Sequence, residues 1–273
     1  MAQQAGAPPP AAWPAVEVRR MADLPYGPGE RQRMDVYLPA NPRGAPVLVM
    51  VHGGAWMFGD KTAAAVVAPK IAHWVRDQGF ILVSVGYRLV PQVDVLQQAQ
   101  DVALAVATAQ ASARSWGGDP DRFVLMGHSA GAHLVALLSA SPEIARQQGA
   151  RRWLGAVMLD SAALDTAALM QRPHLRLYDR AFGSDPALWR AVSPTDTLAP
   201  GAPPMLLVCS TLRRDDACAQ ARAFAARVRS AGTRAEVQPE DLTHAGINAE
   251  LGLPGAYTAA VDAFIRSTGA RPH

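Results

Sequence analysis

Lysine is nearly absent from this chain of 273 residues, which contains only Lys61 and Lys70. The net charge of +3 therefore comes from arginines, which are scattered along the sequence without a basic run. Nucleic-acid-binding surfaces cluster their basic residues, so nucleic acid is not expected as a partner. Long apolar runs are also missing, and none approaches the roughly 20 residues that a membrane-spanning helix needs.

Cysteine is scarce as well, with Cys209 at the end of an apolar segment and Cys218 just after two aspartates. We expect these two residues to form a disulfide that restrains the loop between them. Such a bond would require an oxidising compartment. Two free thiols, one buried and one on the surface, are the alternative.

The first 14 residues are rich in alanine, glutamine and proline, and we predict a flexible segment there, followed by a single domain over residues 15–273. No apolar signal-peptide core follows Met1. The composition is typical of the start of a mature exported protein, which favours a periplasmic or secreted location. A disordered tail on a cytoplasmic protein is the alternative.

Short apolar runs alternate with segments of helical spacing along most of the chain. The predicted strands are residues 16–18, 34–38, 46–51, 80–85, 122–126, 154–159, 205–208 and 234–238. The predicted helices are residues 63–78, 93–116, 132–138, 217–231 and 254–267. This alternation predicts an α/β fold with a mostly parallel, doubly wound sheet and helices on both faces.

Residues 161–204 interrupt the alternation with a long, apolar and proline-containing connection. Connections of this length are usually functional or form a small subdomain. We interpret the segment as a partial lid over the candidate site. A packed, helix-rich insertion without substrate contact is the alternative.

Residues 127–131 have the sequence GHSAG and lie between a predicted buried strand and a predicted helix. The two glycines allow a tight turn, because neither carries a Cβ that would collide with the neighbouring elements. In this setting the G-x-S-x-G pattern is typical of a nucleophile elbow, which projects its serine at the end of the sheet. Ser129 is therefore the candidate nucleophile, and the helix N-terminus behind it favours negative charge.

A serine nucleophile needs a base, and His244 is the candidate because it follows the last predicted strand. His128, beside the serine in a strained turn, should point elsewhere, and His133 should pack along the helix.

The base in turn needs an orienting acid, which normally lies between the serine and the histidine in chain order. We prefer Asp216, which directly precedes a predicted helix. Asp215, which could instead pair with Arg213 or Arg214, and Asp160, at the end of the preceding strand, remain alternatives.

Residues 52–56, HGGAW, follow the third predicted strand. Backbone N–H groups of Gly54 and Ala55, together with that of Ala130, are the candidate oxyanion hole for a tetrahedral intermediate. The candidate substrate pocket is lined by Trp56, His128 and Trp189.

The HGGAW and GHSAG segments, with GYRL at residues 86–89, resemble the HGGxW branch of the α/β-hydrolases. That branch includes bacterial carboxylesterases, feruloyl-esterase-like enzymes and kynurenine formamidases, and it is related to the hormone-sensitive lipases. The resemblance covers about residues 34–265. Two features differ from hormone-sensitive lipase relatives: Ala55 replaces the third glycine of HGGG, and the lead-in is short. The loop over residues 211–216 also lacks the usual lipase-type acid signature.

The resemblance implies an α/β-hydrolase fold with a small lid-like insertion and a serine esterase activity. The enzyme would cleave short-chain or aryl carboxylic esters through an acyl-enzyme on Ser129. A small-molecule ester would be its partner, and neither a metal nor an organic cofactor would be needed. An arylformamidase acting on N-formylkynurenine is the alternative, and a non-catalytic ligand-binding homologue is a more remote one.

Overall fold

A computed structural model of the protein describes residues 18–271, and eight strands of this part form one sheet. The strands are β1 (Arg19–Pro25), β2 (Arg33–Leu38), β3 (Ala45–Val51), β4 (Ile81–Val85), β5 (Gly118–His128), β6 (Gly155–Leu159), β7 (Met205–Ser210) and β8 (Ala235–Glu240). Their order in the sheet is β1-β2-β4-β3-β5-β6-β7-β8. In this sheet the pairs β1–β2 and β2–β4 are antiparallel and the other five pairs are parallel, which confirms the predicted, mostly parallel sheet.

Helices cover both faces of this sheet, as predicted. They are α1 (Ala64–Lys70), α2 (Val95–Ser112), α3 (Ala130–Ala140), α4 (Pro142–Gln147), α5 (Thr166–Met170), α6 (Arg176–Phe182), α7 (Pro186–Ala191), α8 (Ala217–Ser230), α9 (His244–Ala249) and α10 (Ala256–Ser267). Helices α2, α3 and α8 pack on one face with Val47 and Val49 of β3. Helices α1 and α10 pack on the other face with Leu48 and Met50. Successive residues of β3 thus point to opposite cores, which is why this strand is apolar throughout.

The boundaries of the first predicted strand and of the predicted helix 93–116 differ from the structure. The predicted flexible segment of residues 1–14 and most of the predicted strand 16–18 lie outside the described residues. The observed strand β1 begins only at Arg19. The predicted helix 93–116 ends as an α-helix at Ser112, and a 3-10 turn (Ala113–Trp116) completes it.

The predicted helix 63–78 is divided at Pro69, where α1 gives way to a wider π-helical segment (Ile71–Asp77). Proline has no N–H, so the carbonyl of Ala65 loses its intrahelical donor. It accepts a hydrogen bond from the side-chain amide of Asn248 instead, at 3.0 Å. The ammonium of fully buried Lys70 also donates to Asn248, at 2.8 Å from its carbonyl oxygen. These bonds fasten α1 to α9, the helix that begins at His244.

Candidate active site

Ser129 occupies a sharp turn between β5 and α3, as the GHSAG pattern predicts. Its backbone has φ 55° and ψ −116°, a left-handed conformation that is costly for a residue with a Cβ. The Ser129 N–H donates to the carbonyl of Leu159 at 2.9 Å, which anchors the turn to the next strand. The side chain is half-buried and lines a large cleft.

Gly127 makes this turn sterically possible, because a Cβ there would overlap the carbonyl oxygen of Gly131. The carbonyl oxygen and carbon of Gly131, which this Cβ would meet, belong to the backbone and cannot move aside. We therefore expect Gly127→Ala to lower the free energy of unfolding by about 3 kcal/mol, as overpacked sites do. Thermal or urea unfolding would measure the loss. Gly255→Ala is the matched control, since a Cβ there meets no heavy atom within 4 Å; equal stability losses in both variants would contradict the steric explanation.

His244 is the first residue of α9 and contacts Ser129, which agrees with the sequence prediction. Its Nε2 lies 2.9 Å from Ser129 Oγ, and its Nδ1 lies 2.6 Å from Oδ2 of Asp160. A carboxylate only accepts hydrogen bonds, so Nδ1 carries the proton and Nε2 is the acceptor. This tautomer leaves Nε2 free to take the proton of the serine hydroxyl.

Asp160 supplies the carboxylate that faces His244, from a position immediately after β6. In the parallel pair β5–β6, His128 lies opposite Leu159, so the next residues, Ser129 and Asp160, leave the sheet side by side. The side chain of Asp160 is fully buried, and its Oδ1 accepts from the Ser210 N–H at 2.9 Å. Burial alone would raise the pKa of this carboxyl, but hydrogen bonds from His244 and Ser210 and the charge of Arg213 hold it below its ordinary value.

The preference for Asp216 as the acid is wrong, because its carboxylate caps a helix. Asp216 is the N-cap of α8, with φ 51°, and its Oδ1 accepts from the Ala219 N–H at 3.1 Å. Asp215 does not face the histidine either, since it pairs with the guanidinium of Arg213 at 2.9 and 2.5 Å. The residue that reaches the histidine from this loop is Arg213, whose Nη1 lies 3.2 Å from His244 Nδ1 and 3.1 Å from Asp160 Oδ2.

The candidate oxyanion loop lies directly against the serine turn. A Cβ on Gly53 would come within 3.0 Å of the Ser129 Cβ, so this close approach requires glycine. Gly54 and Ala55 line the same cleft and have φ 121° and 50°. Ala130, the first residue of α3, is buried, and an N–H at this helix position has no intrahelical acceptor.

Of the three predicted pocket residues, two line the cleft and one does not. Trp56 and His128 line the cleft. His128 is held by its Nε2–H, which donates to the carbonyl of His244 at 2.9 Å, and burial lowers its pKa to about 3, so the ring is neutral. Trp189 is not among the lining residues. Its indole N–H donates to the carbonyls of Phe182 and Gly183, so the side chain packs within the insertion. The prediction that Trp189 lines the substrate pocket is therefore wrong.

The cleft has a volume of about 1290 Å³, and its wall is mostly apolar. The insertion contributes to it through Leu169 of α5, residues 172–175 between α5 and α6, and Leu177 and Tyr178 of α6. Phe58 and Leu175 are the two most exposed large apolar side chains of the described residues, at 66% and 62%, and both belong to the cleft wall. The insertion therefore borders the site beside Ser129, while α7 does not.

Cys209 and Cys218 form a disulfide, the pairing that we expect from the sequence. The bond joins β7 to the first turn of α8 and so closes the loop between them. The prediction that this loop holds the acid is corrected, because it presents Arg213 to the site instead.

Residues 18–271 contain no group of three or more histidine, cysteine, aspartate or glutamate side chains arranged to hold a metal ion. Within the same residues, no helix is long and apolar enough to cross a membrane.

Comparison with known families adds to this geometry. A family model described as BD-FAE matches residues 34–225, which is most of the chain. The chain belongs to the BD-FAE family. This BD-FAE protein is 32% identical over 237 residues to esterase LipQ of Mycobacterium tuberculosis, an alignment that covers 77% of the chain and 53% of LipQ. It is 31% identical over 119 residues to kynurenine formamidase of Salmo salar, covering 43% of the chain and 38% of that protein. The chain thus spans about half the length of LipQ.

Among solved structures, this BD-FAE chain resembles a truncated form of a carbohydrate esterase from gut microbiota. The TM-score is 0.79 at 17% sequence identity, and the match covers 94% of this chain and 98% of the other. At this identity the likeness concerns the fold. Together with the sheet order, it confirms the α/β-hydrolase fold that the sequence predicts.

Proposed function

We propose that this protein hydrolyses carboxylic esters through an acyl-enzyme on Ser129. The supporting observation is the continuous hydrogen-bonded chain from Ser129 Oγ through the imidazole of His244 to Asp160, at 2.9 and 2.6 Å. This arrangement is the one that activates a serine hydroxyl, which is a poor nucleophile by itself. The similarity to esterase LipQ supports the same class of reaction.

In the acylation step, Ser129 Oγ attacks the ester carbonyl carbon while its proton passes to His244 Nε2. Asp160 stabilises the resulting imidazolium through the hydrogen bond from Nδ1. The C–O bond to the alcohol then breaks, and the alcohol leaves with the proton from Nε2. In the second step, water repeats the attack on the acyl-enzyme, with His244 again accepting and returning a proton, and the acid is released.

The negative charge of each tetrahedral intermediate needs donors fixed in advance. We propose the backbone N–H groups of Gly54, Ala55 and Ala130 for this role. The loop of the first two is pressed against Ser129, and the third lies at the N-terminus of α3, where the helix dipole also favours an anion. One such donor is typically worth 10²–10³-fold in kcat, that is, about 3–4 kcal/mol.

We propose short-chain or aryl esters as substrates. Aromatic side chains of Trp56, Phe58 and Tyr178 line the cleft and offer the stacked or edge contacts that an aryl group prefers. The cleft has room for such a group beside the reacting carbonyl.

The test is a panel of p-nitrophenyl esters with acyl chains of two to twelve carbons, measured beside N-formylkynurenine. We expect the highest kcat/KM for the short acyl chains, and labelling of Ser129 by a fluorophosphonate. Fast deformylation with little ester cleavage would move the protein to the formamidases. That second candidate is supported by the partial match to kynurenine formamidase. Absence of both activities and of the label would leave a non-catalytic ligand-binding protein and overturn the proposal.

We also propose that the protein functions in an oxidising compartment, outside the cytoplasm. The disulfide between Cys209 and Cys218 supports this location, since cytosolic thiols are kept reduced. Intact mass of the protein from its native source, with and without reductant before alkylation, tests it. Two thiols that alkylate without reductant would contradict it.

A further inference from the structure

A partly buried arginine, Arg213, touches both Asp160 and His244 in the candidate active site. Nη1 of Arg213 lies 3.1 Å from Oδ2 of Asp160, the same oxygen that accepts from His244. It also lies 3.1 Å from the carbonyl oxygen of Asp160 and 3.2 Å from Nδ1 of His244. The arginine side chain is 17% exposed and that of Asp160 is fully buried, so solvent screens the contact between these two residues weakly.

The contact between Arg213 and His244 is not a hydrogen bond. Nδ1 of His244 carries a proton that it donates to Asp160, so Nδ1 and the guanidinium are two donors that converge on one oxygen. The two donors divide the negative charge of Asp160 between them. When His244 takes the serine proton, a second positive charge forms next to the guanidinium, and like charges at this distance disfavour the charged form.

Asp215 limits this repulsion. Its carboxylate binds the far side of Arg213 in a bidentate pair, Nη2 to Oδ2 at 2.5 Å and Nε to Oδ1 at 2.9 Å. Such a fork fixes the plane of the guanidinium and offsets part of its charge. Removing Asp215 should therefore strengthen the effect of Arg213 on the site, whereas removing Arg213 should abolish it.

We propose that Arg213 is a positioning residue that holds Asp160 toward His244 and, opposed by Asp215, restrains His244 from binding a proton in the free enzyme. This inference rests on the proposed function of His244 as the base. It means that the loop between β7 and α8 acts on the site through Arg213 and Asp215.

Other titratable groups surround this cluster from neighbouring elements. They are His128 after β5, Lys70 on α1, Tyr178 on α6 and Tyr257 on α10. His128 is neutral because burial lowers its pKa to about 3. Burial raises the pKa values of both tyrosines, which are therefore neutral as well. Burial lowers the pKa of Lys70 to about 7, so this lysine titrates near neutral pH. It is present in every variant below, so differences between the variants report on Arg213 and Asp215.

The experiment compares pH profiles of kcat/KM for a short-chain p-nitrophenyl ester in four proteins: wild type, Arg213→Gln, Arg213→Lys and Asp215→Asn. We expect Arg213→Gln to move the midpoint of the acidic limb upward by about 0.5–1 pH unit, because the imidazolium no longer faces a cation. Asp215→Asn should move it downward. Arg213→Lys keeps the charge but not the fork, so its midpoint should stay near that of wild type while kcat falls.

A purely structural role would lower kcat at every pH without moving the midpoint, and this outcome would overturn the inference. Asp215→Asn retains Arg213, so it still reports the sign if Arg213→Gln does not fold. The imidazole NMR resonance of His244, assigned with His244→Gln, gives the same titration without any substrate. If the NMR titration midpoint of His244 differs between the variants as expected but the wild type cleaves no ester, the proposed function alone is overturned. An active wild type with identical midpoints in all variants would overturn this inference alone.

Discussion

Ser129→Ala should lower kcat for ester hydrolysis by about 10⁶-fold, the loss seen when a serine hydrolase is deprived of its nucleophile. The variant removes the Oγ that lies 2.9 Å from His244 Nε2, so no acyl-enzyme can form. The fold should be unaffected, because the Ser129 N–H and backbone turn remain. Residual hydrolysis above the rate in water would come from the oxyanion donors and from binding alone. The measurement is steady-state hydrolysis of p-nitrophenyl acetate with active-site titration.

Ser161 provides a control for this result, since it lines the same cleft and its Oγ accepts from the Ala163 N–H. A fluorophosphonate should label wild type and Ser161→Ala but not Ser129→Ala. Label that persists in Ser129→Ala, or activity that survives there, would show that another residue is the nucleophile.

The elements nearest to the nucleophile are those that the sequence predicts best. Residues 127–131 combine a buried apolar strand, two glycines and a good helix former, and all three local preferences favour the same strand–turn–helix. Here local chemistry and tertiary structure agree, so Ser129 has the predicted conformation. His244 is predictable for a related reason, since it follows the strand at the edge of the sheet and reaches the site from its carboxyl end.

The acid could not be chosen by the same means. Asp160, Asp215 and Asp216 all follow apolar strands, and their positions along the chain do not distinguish them. The choice depends on which strand is the neighbour of β5 and on where that strand ends, which are long-range properties. The pairing of β5 with β6 brings Asp160 beside Ser129. Asp216, placed one residue before α8, satisfies the N–H groups of its own helix instead, as N-cap residues do.

The contact of Arg213 with the candidate active site could not be predicted from the sequence, because an arginine next to aspartates normally indicates a surface ion pair. Its contacts with Asp160 and His244 become evident only from the path of the loop after β7 in the folded protein. Similarly, Trp189 is an aromatic residue in an insertion beside a site, yet its indole is used inside that insertion. In each case the side chain had two plausible partners, and only the three-dimensional packing selects one.

Asp160→Asn should lower kcat by about 10⁴-fold with little change in the fold, because asparagine has nearly the same shape. An amide that turns its NH₂ toward Nδ1 favours the imidazole tautomer with the proton on Nε2. In that tautomer His244 cannot accept the proton of Ser129, and a neutral amide does not stabilise the imidazolium. Arg213 reinforces the effect, since its guanidinium prefers the amide oxygen and leaves the NH₂ for the histidine.

Asp216→Asn is the matched control, because asparagine caps helices as well as aspartate does and α8 should keep its stability. We expect its kcat to stay within about twofold of wild type, because the carboxylate of Asp216 accepts from the Ala219 N–H of its own helix. The carboxylate of Asp160, in contrast, lies 2.6 Å from Nδ1 of His244. The two aspartates thus give opposite expectations for the same substitution. A large loss in Asp216→Asn with activity retained in Asp160→Asn would restore Asp216 as the acid, and it would also remove the structural basis for the role of Arg213.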